Sequence, residues 1–218
     1  MAKKDSSIVM KYLALLLALV LPAGPGVAKP VNFDSTKPGA LPAGWLAGIT
    51  GPGQAQWAVT PDPSAPSAPH VLKQSGQVAS HSYPWCVNTN ISLKNGFVQV
   101  KFKSVSGKED QAGGVVWRWQ DGDNYYIARG NALEDNIILF RTEHGERKEL
   151  HRAPMKVAPN QWHTLRVDFY GSHVTVTFDG QKVMDWDDDV FTKAGAAGVW
   201  TKADSVMLFD DFQCNVDP

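Results

Sequence analysis

The stretch GGVVWRWQDGDNYYIARGNALEDNIILFRTEHGERKELHR, residues 113–152, decides the fold. It reads as consecutive strands separated by tight polar turns. Asp121-Gly122-Asp123-Asn124 supplies turn formers between two aromatic-rich runs. The span from Asn131 to Asn136 and the pair His144-Gly145 mark the next two reversals. Alternate side chains of a strand share a face. Val115, Trp117 and Trp119 therefore point one way in the first run, and Val116, Arg118 and Gln120 the other. In the second run Tyr125, Ile127, Arg129 and Asn131 share a face, opposite Tyr126, Ala128 and Gly130. A sheet face that carries Arg, Asn, Gln and Tyr is unusual for a core and suits a sugar.

The same period extends outward in both directions. Val98, Val100 and Phe102 alternate with Gln99, Lys101 and Lys103, the pattern of a half-buried antiparallel strand. Leu165, Val167 and Phe169 alternate, Tyr170-Gly171-Ser172 turns, and Val174, Val176 and Phe178 alternate again before the hairpin signal Asp179-Gly180. Gly198–Thr201 and Val206–Cys214 supply closing strands. Upstream, proline and glycine leave room for short strands only, at Val31–Asp34, Gln56–Thr60 and His70–Gln74. Trp45 and Trp57 predict that these loops pack onto the domain. Helical periodicity is confined to the N-terminus, apart from one turn expected near Phe191–Ala194. Trp117, Trp119, Trp162 and Trp200 read as core aromatics. Roughly a dozen short strands without helices predict an all-β, two-sheet antiparallel sandwich, its tail strand pairing with the N-terminal region.

Lys3, Lys4 and Lys11, the apolar run Tyr12–Leu21, a Pro-Gly break and Gly26-Val27-Ala28 form a secretory signal peptide, residues 1–28, with translation starting at Met1 or Met10. The sandwich then occupies residues 29–218. The apolar run is short of the roughly 20 residues of a membrane span, so no membrane insertion is expected after cleavage. The location is the periplasm or the extracellular space. Removing residues 1–28 takes away three Lys and one Asp, a net +2, and moves the whole-chain charge from −1 to −3. That balance gives no reason to expect nucleic acid as a partner. Cys86 and Cys214 lie in the exported part and form either a disulfide or two buried apolar thiols.

The runs of residues 113–140, 161–183 and 198–212 resemble the concanavalin A-like jelly-roll family that includes the 3-keto-disaccharide hydrolase domains. The likeness extends from Asn32-Phe33-Asp34 to Asp210-Asp211-Phe212. It implies a curved sandwich whose concave sheet faces a carbohydrate. This superfold hosts lectins, glycosidases and structural modules alike.

Carbohydrates are held by aromatic stacking and by planar polar groups on a rigid face, and Arg118, Tyr125, Arg129, Asn131 and Asn136 are the expected ligand-binding set. Lys202 and Asp204, beside Trp200, close one end. An E-x-D-x-E carboxylate pair, which would place two carboxylates at glycosidase spacing on one strand, does not occur. Glu143, Glu146 and Glu149 read as solvating a hairpin, and Asp185–Asp189 as an acidic surface turn. If a single base acts, the candidates are Glu134, Asp135 and His144. Asp34, Asp210 and Asp211 meet if the termini pair, and would then suit a structural Ca²⁺, an oxygen-seeking cation, or cap turns. The expected function is an exported module that recognises an oligo- or polysaccharide. The alternatives are a hydrolase of the 3-keto-disaccharide type and a non-catalytic structural or envelope-interaction domain.

Overall fold

Period-2 hydrophobicity becomes fourteen strands in the computed structural model, which describes residues 30–215. Residues 1–28, expected to form a signal peptide, and both candidate start methionines lie outside the described residues. The strands are β1 (Trp45–Thr50), β2 (Trp57–Pro61), β3 (His70–Gln74), β4 (Tyr83–Leu93), β5 (Gly96–Ser106), β6 (Ala112–Asp121) and β7 (Asn124–Asn131). They continue with β8 (Asn136–Glu143), β9 (Glu146–Pro154), β10 (Trp162–Tyr170), β11 (His173–Phe178), β12 (Gln181–Asp187), β13 (Gly195–Thr201) and β14 (Val206–Cys214). They form two seven-stranded antiparallel sheets, ordered β1-β4-β13-β6-β7-β8-β9 and β12-β11-β10-β5-β14-β3-β2. The expected jelly-roll sandwich is the observed one. β14 pairs with β3 and β5, and Val31 bridges Phe212, so the tail does close on the N-terminal region.

The two sheets enclose one apolar layer. Val98, Val100 and Phe102 of β5, Leu165, Val167 and Phe169 of β10, and Val115, Trp117, Tyr126, Ala128, Ile137 and Leu139 of the first sheet are buried there together. β10 shows the one-faced burial ordinary for a sandwich strand. β6, β7 and β8 differ, because both faces are buried along most of their length. Their second face carries a separate cluster that includes Tyr83, Trp85, Val116, Tyr125, Ile127, Phe140 and Trp200. This outer face of the first sheet positions the site described below. Gly114 lets β6 approach β7 closely there: a Cβ would lie 2.0 Å from the Ala128 carbonyl oxygen and 2.7 Å from Arg129 Cα.

Several expectations are corrected. Arg118 does not lie on the Tyr125–Arg129 face. Its φ is +47° and the β6–β7 register shifts between Trp117 and Asp121, so the bulge breaks the alternation. The guanidinium turns inward instead, 5.3 Å from the Phe169 ring of the opposite sheet. There it donates to the carbonyls of Lys94 (2.8 and 3.0 Å), Phe191 (2.8 Å) and Gly171 (2.7 Å). Beyond the same bulge Trp119 leaves the inner layer and packs on Trp85 at 5.1 Å. Trp162 lies half-buried at the surface and donates to the Ser64 carbonyl at 2.8 Å. Phe191–Ala194 is extended or bent rather than helical, and Val31–Asp34 contributes a single bridge rather than a strand. Cys86 and Cys214 are free, buried thiols of the inter-sheet layer. Burial raises both pKa values, that of Cys214 to about 11, so neither is a reactive thiolate.

Candidate functional site

The antiparallel register brings Tyr125, Arg129, Asn131 and Asn136 onto the outer face of the first sheet, as their alternation predicts. Arg129 sits opposite Gly114 on β6 and Ile138 on β8, and Asn131 opposite Asn136. Each is tied down. Arg129, only 2% exposed, pairs with Glu134 at 2.8 Å and donates to the side-chain oxygen of Asn136. Asn136 in turn donates to Glu134 at 3.1 Å. Asn131 donates to Asp110 at 2.5 Å, and Lys202 pairs with the other oxygen of that carboxylate. The Tyr125 hydroxyl shares a 2.5 Å hydrogen bond with Thr50 Oγ1, which itself donates to the Gly122 carbonyl at 2.5 Å. Thr50 has one hydroxyl proton, so Tyr125 is the donor to it. These side chains form a rigid lower tier.

The tier above comes mostly from β9 and from the turn between β7 and β8. Arg147 lies opposite Thr142, and Arg152 opposite Ile138 after a register shift at Leu139/Phe140. Arg152 forms a two-pronged pair with Glu149 (2.9 and 2.7 Å) and reaches to 4.0 Å from Glu134. Glu134, Glu149 and Arg152 are 41, 41 and 50% exposed at their side chains, the accessible part of the arrangement. Arg147 has aromatic neighbours instead of a carboxylate. Its guanidinium lies 4.2 Å from the Phe140 ring centre, 4.5 Å from that of Tyr83 and 5.6 Å from that of Trp200. Tyr83 and Trp200 are themselves stacked, 5.8 Å apart at 17°.

Electrostatics keep the two exposed carboxylates ionised. Burial works to raise the Glu134 pKa, but the hydrogen bond and charge of Arg129 outweigh it and hold the group below its ordinary value. The hydrogen bond from Arg152 does the same for Glu149, against a smaller opposing effect of burial.

The other expected site residues are elsewhere or otherwise employed. Asp204 accepts the backbone N–H groups of Lys108 (2.6 Å), Glu109 (3.1 Å) and Asp110 (3.0 Å). Those amides outweigh burial and depress its pKa, so it anchors a loop rather than presenting itself to a ligand. Asp135 is in the same turn as Glu134 but is tied to Lys156 at 2.8 Å and to the Val157 amide at 3.2 Å. His144 is at the opposite end of β8, where it lines a 370 Å³ pocket with Gln120, Asn124, Phe191 and Lys193. Of the three candidate bases, only Glu134 adjoins the outer face.

Asp34, Asp210 and Asp211 do converge on one corner, with protein donors already on their oxygens. Asp34 accepts from Asn32 (2.7 Å) and the His70 amide (3.0 Å), Asp210 from the amides of Ser67 (2.7 Å) and Asp211 (2.8 Å), and Asp211 from Lys101 (2.8 Å). Among the described residues no cluster of three His, Cys, Asp or Glu side chains is placed to hold a metal ion. Asp188 is no mere surface carboxylate: it pairs with Arg141 at 2.5 Å and accepts the Tyr126 hydroxyl.

Sequence alternation alone did not indicate Arg147, Arg152 or Tyr83. The first two occupy a strand whose glutamates suggested simple solvation, and Tyr83 precedes Pro84, a residue that weakens any strand assignment.

Solved structures share the architecture. A carbohydrate-binding module, CBM66, from Bacillus subtilis superposes with a TM-score of 0.64 at 17% identity, covering 79% of this chain and 95% of that one. A protein of unknown function with a galectin-like fold, also from Bacillus subtilis, gives 0.56 at 10% identity, with 79% and 89% covered. The GH16 protein of a Bacteroides ovatus mixed linkage glucan PUL, solved with a product, gives 0.51 at 10% identity, with 72% and 84% covered. At such identities the likeness is one of fold. No curated protein matches the chain in sequence. The profile of the 3-keto-alpha-glucoside-1,2-lyase-like domain does match, over residues 74–211, which is more than half of the chain and runs from the end of β3 into β14, so the chain belongs to that family.

Proposed function

We propose that this is an exported, non-catalytic recognition module that binds an oligo- or polysaccharide on the outer face of the first sheet, in the periplasm or outside the cell. One observation carries the reading. Arg129, Asn131 and Asn136 are fixed by hydrogen bonds on the same face as the Tyr83–Trp200 stack and the exposed pair Glu149–Arg152. The accessible side chains Glu134, Glu149 and Arg152 rest on this buried tier, so they lose little further freedom when a sugar docks on them. The CBM66 and GH16 neighbours, by their names a carbohydrate-binding module and a mixed linkage glucan PUL protein solved with a product, support a saccharide as the ligand class.

The electrostatics favour binding over hydrolysis. Glycoside hydrolysis needs a carboxylic acid whose pKa is raised enough to protonate the leaving oxygen. Glu134 and Glu149 are shifted the other way. The deciding experiment titrates the protein with a panel of oxidised and unoxidised glycosides, reading heat of binding and product release together. The expected result is saturable binding without product. Absence of any saccharide response, together with a co-purifying protein, would replace this reading with that of a structural or envelope-interaction domain.

Family membership favours a second reading, cleavage of a 3-keto glycoside. A carbonyl at C3 acidifies the neighbouring C–H bond, and elimination there needs a base rather than a strong acid. Glu134, ionised and 41% exposed, is the residue of this face suited to that step. Release of product from a 3-keto glycoside, abolished in Glu134→Gln while binding persists, would establish it.

A further inference from the structure

The outer face carries four cations, Arg129, Arg147, Arg152 and Lys202, and three carboxylates, Asp110, Glu134 and Glu149. Three of the cations are matched: Lys202 with Asp110, Arg129 with Glu134 at 2.8 Å and Arg152 with Glu149 at 2.7 Å. Arg147 is left over. Among the described residues it forms no ion pair, and its Nη1 is buried without a hydrogen-bond partner. The rings of Tyr83, Phe140 and Trp200 surround it and supply favourable quadrupole contact. Rings cannot accept its in-plane N–H bonds, however, because a guanidinium directs those five donors outward in a fixed fork. A half-buried guanidinium with donors to spare and no counter-ion is a receptor for an anion.

We infer that the saccharide bound on this face is acidic, and that a sugar carboxylate seats on Arg147. The inference rests on the saccharide-binding reading above and narrows it to uronic-acid-containing glycans. The fork of Arg147 matches the two oxygens of a carboxylate, and the net charge of the face is balanced when one is added. The rings around the guanidinium exclude water from the pair, which strengthens it relative to an exposed ion pair. The nearby Glu134 and Glu149 stay paired with their own arginines and do not compete for Arg147.

Calorimetric titration of the full chain with three oligosaccharides of equal length tests this: one capped with glucuronic acid, one with glucose and one with glucose 6-sulfate. The expected order is glucuronate tightest, by at least about tenfold over the glucose-capped form, the range of a charge-assisted two-pronged hydrogen bond. Arg147→Gln should bring the acidic and neutral ligands to within about twofold of each other. Arg147→Lys, which retains charge without the fork, should keep only part of the preference. The wild-type ranking needs no variant, so a misfolded Arg147→Gln does not spare the inference. Equal or better binding of the neutral sugar overturns the acidic-ligand assignment and leaves saccharide binding standing. Preference for the sulfate ester over glucuronate overturns the carboxylate assignment. If none of the three sugars binds, nor any glycoside of the wider panel, both readings fail together.

Discussion

Arg118 and Arg129 belong to one hairpin and are almost equally buried, yet they hold different things together. Arg118 gathers three carbonyls from three separate turns across the end of the sandwich. Arg118→Met should leave those carbonyls without donors and lower stability by about 3 kcal/mol or more, with saccharide affinity unchanged well below the melting temperature. Denaturant unfolding and calorimetry on one sample check both halves of that statement. Arg129→Ala should instead release Glu134 and Asn136 and weaken saccharide binding at least about tenfold. A second titratable feature is Asp210, buried beside Asp211 and Asp34, where burial first and those like charges second push its pKa up to about 6. Its folded pKa stands above the ordinary 3.8, so the folded state binds more protons between those two pH values. The contribution of this group is therefore most favourable below pH 4 and is lost as pH rises through 6, by up to about 3 kcal/mol. Comparing Asp210→Asn with the wild type at pH 4 and pH 7 should show the stability difference moving toward the variant at pH 7. Parallel curves would refute it. Loss of one acceptor in the Asn variant is a pH-independent offset.

At the scale of elements, β6 and β7 form the hairpin on which the outer face depends. Gly113 and Gly114 are adjacent in β6 but differ in what surrounds them. A Cβ at Gly113 meets the mobile end of Met207, 2.4 Å away, whereas one at Gly114 meets backbone of β7. Gly114→Ala should therefore cost about 3 kcal/mol and Gly113→Ala distinctly less, as read by thermal unfolding. The hairpin also shows what a sequence can reveal. Tyr125, Arg129 and Asn131 could be assigned to one face because nothing interrupts the period of two between them. Arg118 could not, since a left-handed backbone at a non-glycine residue leaves no local signature. Arg147 escaped for a different reason: the rings that isolate it come from β4, β8 and β13, and no local pattern reports which distant strands will meet. Asp204, expected to close one end of the site, anchors a loop instead for the same reason, its backbone partners Lys108–Asp110 lying nearly a hundred residues earlier.

Across the whole molecule, stability rests on the layer between the sheets and not on a covalent cross-link. Cys86 and Cys214 are free and buried, so adding a reductant should leave the melting temperature unchanged; a drop would show that they are bridged in solution. The two-sheet sandwich is legible from strand number, spacing and the absence of helices, whereas its jelly-roll topology came from the family resemblance. The order of strands within the sheets carries one more implication. β14, the last of the fourteen described strands, lies between β5 and β3 in the interior of its sheet rather than at an edge. Until the nine residues of β14 leave the ribosome, the β2–β3 pair has no neighbour to dock on, and the apolar side chains of β5 lack one wall. An interrupted chain ending before Val206 would thus be no smaller version of the same domain, only an unclosed one, with two unpaired strand edges offered to whatever else is nearby.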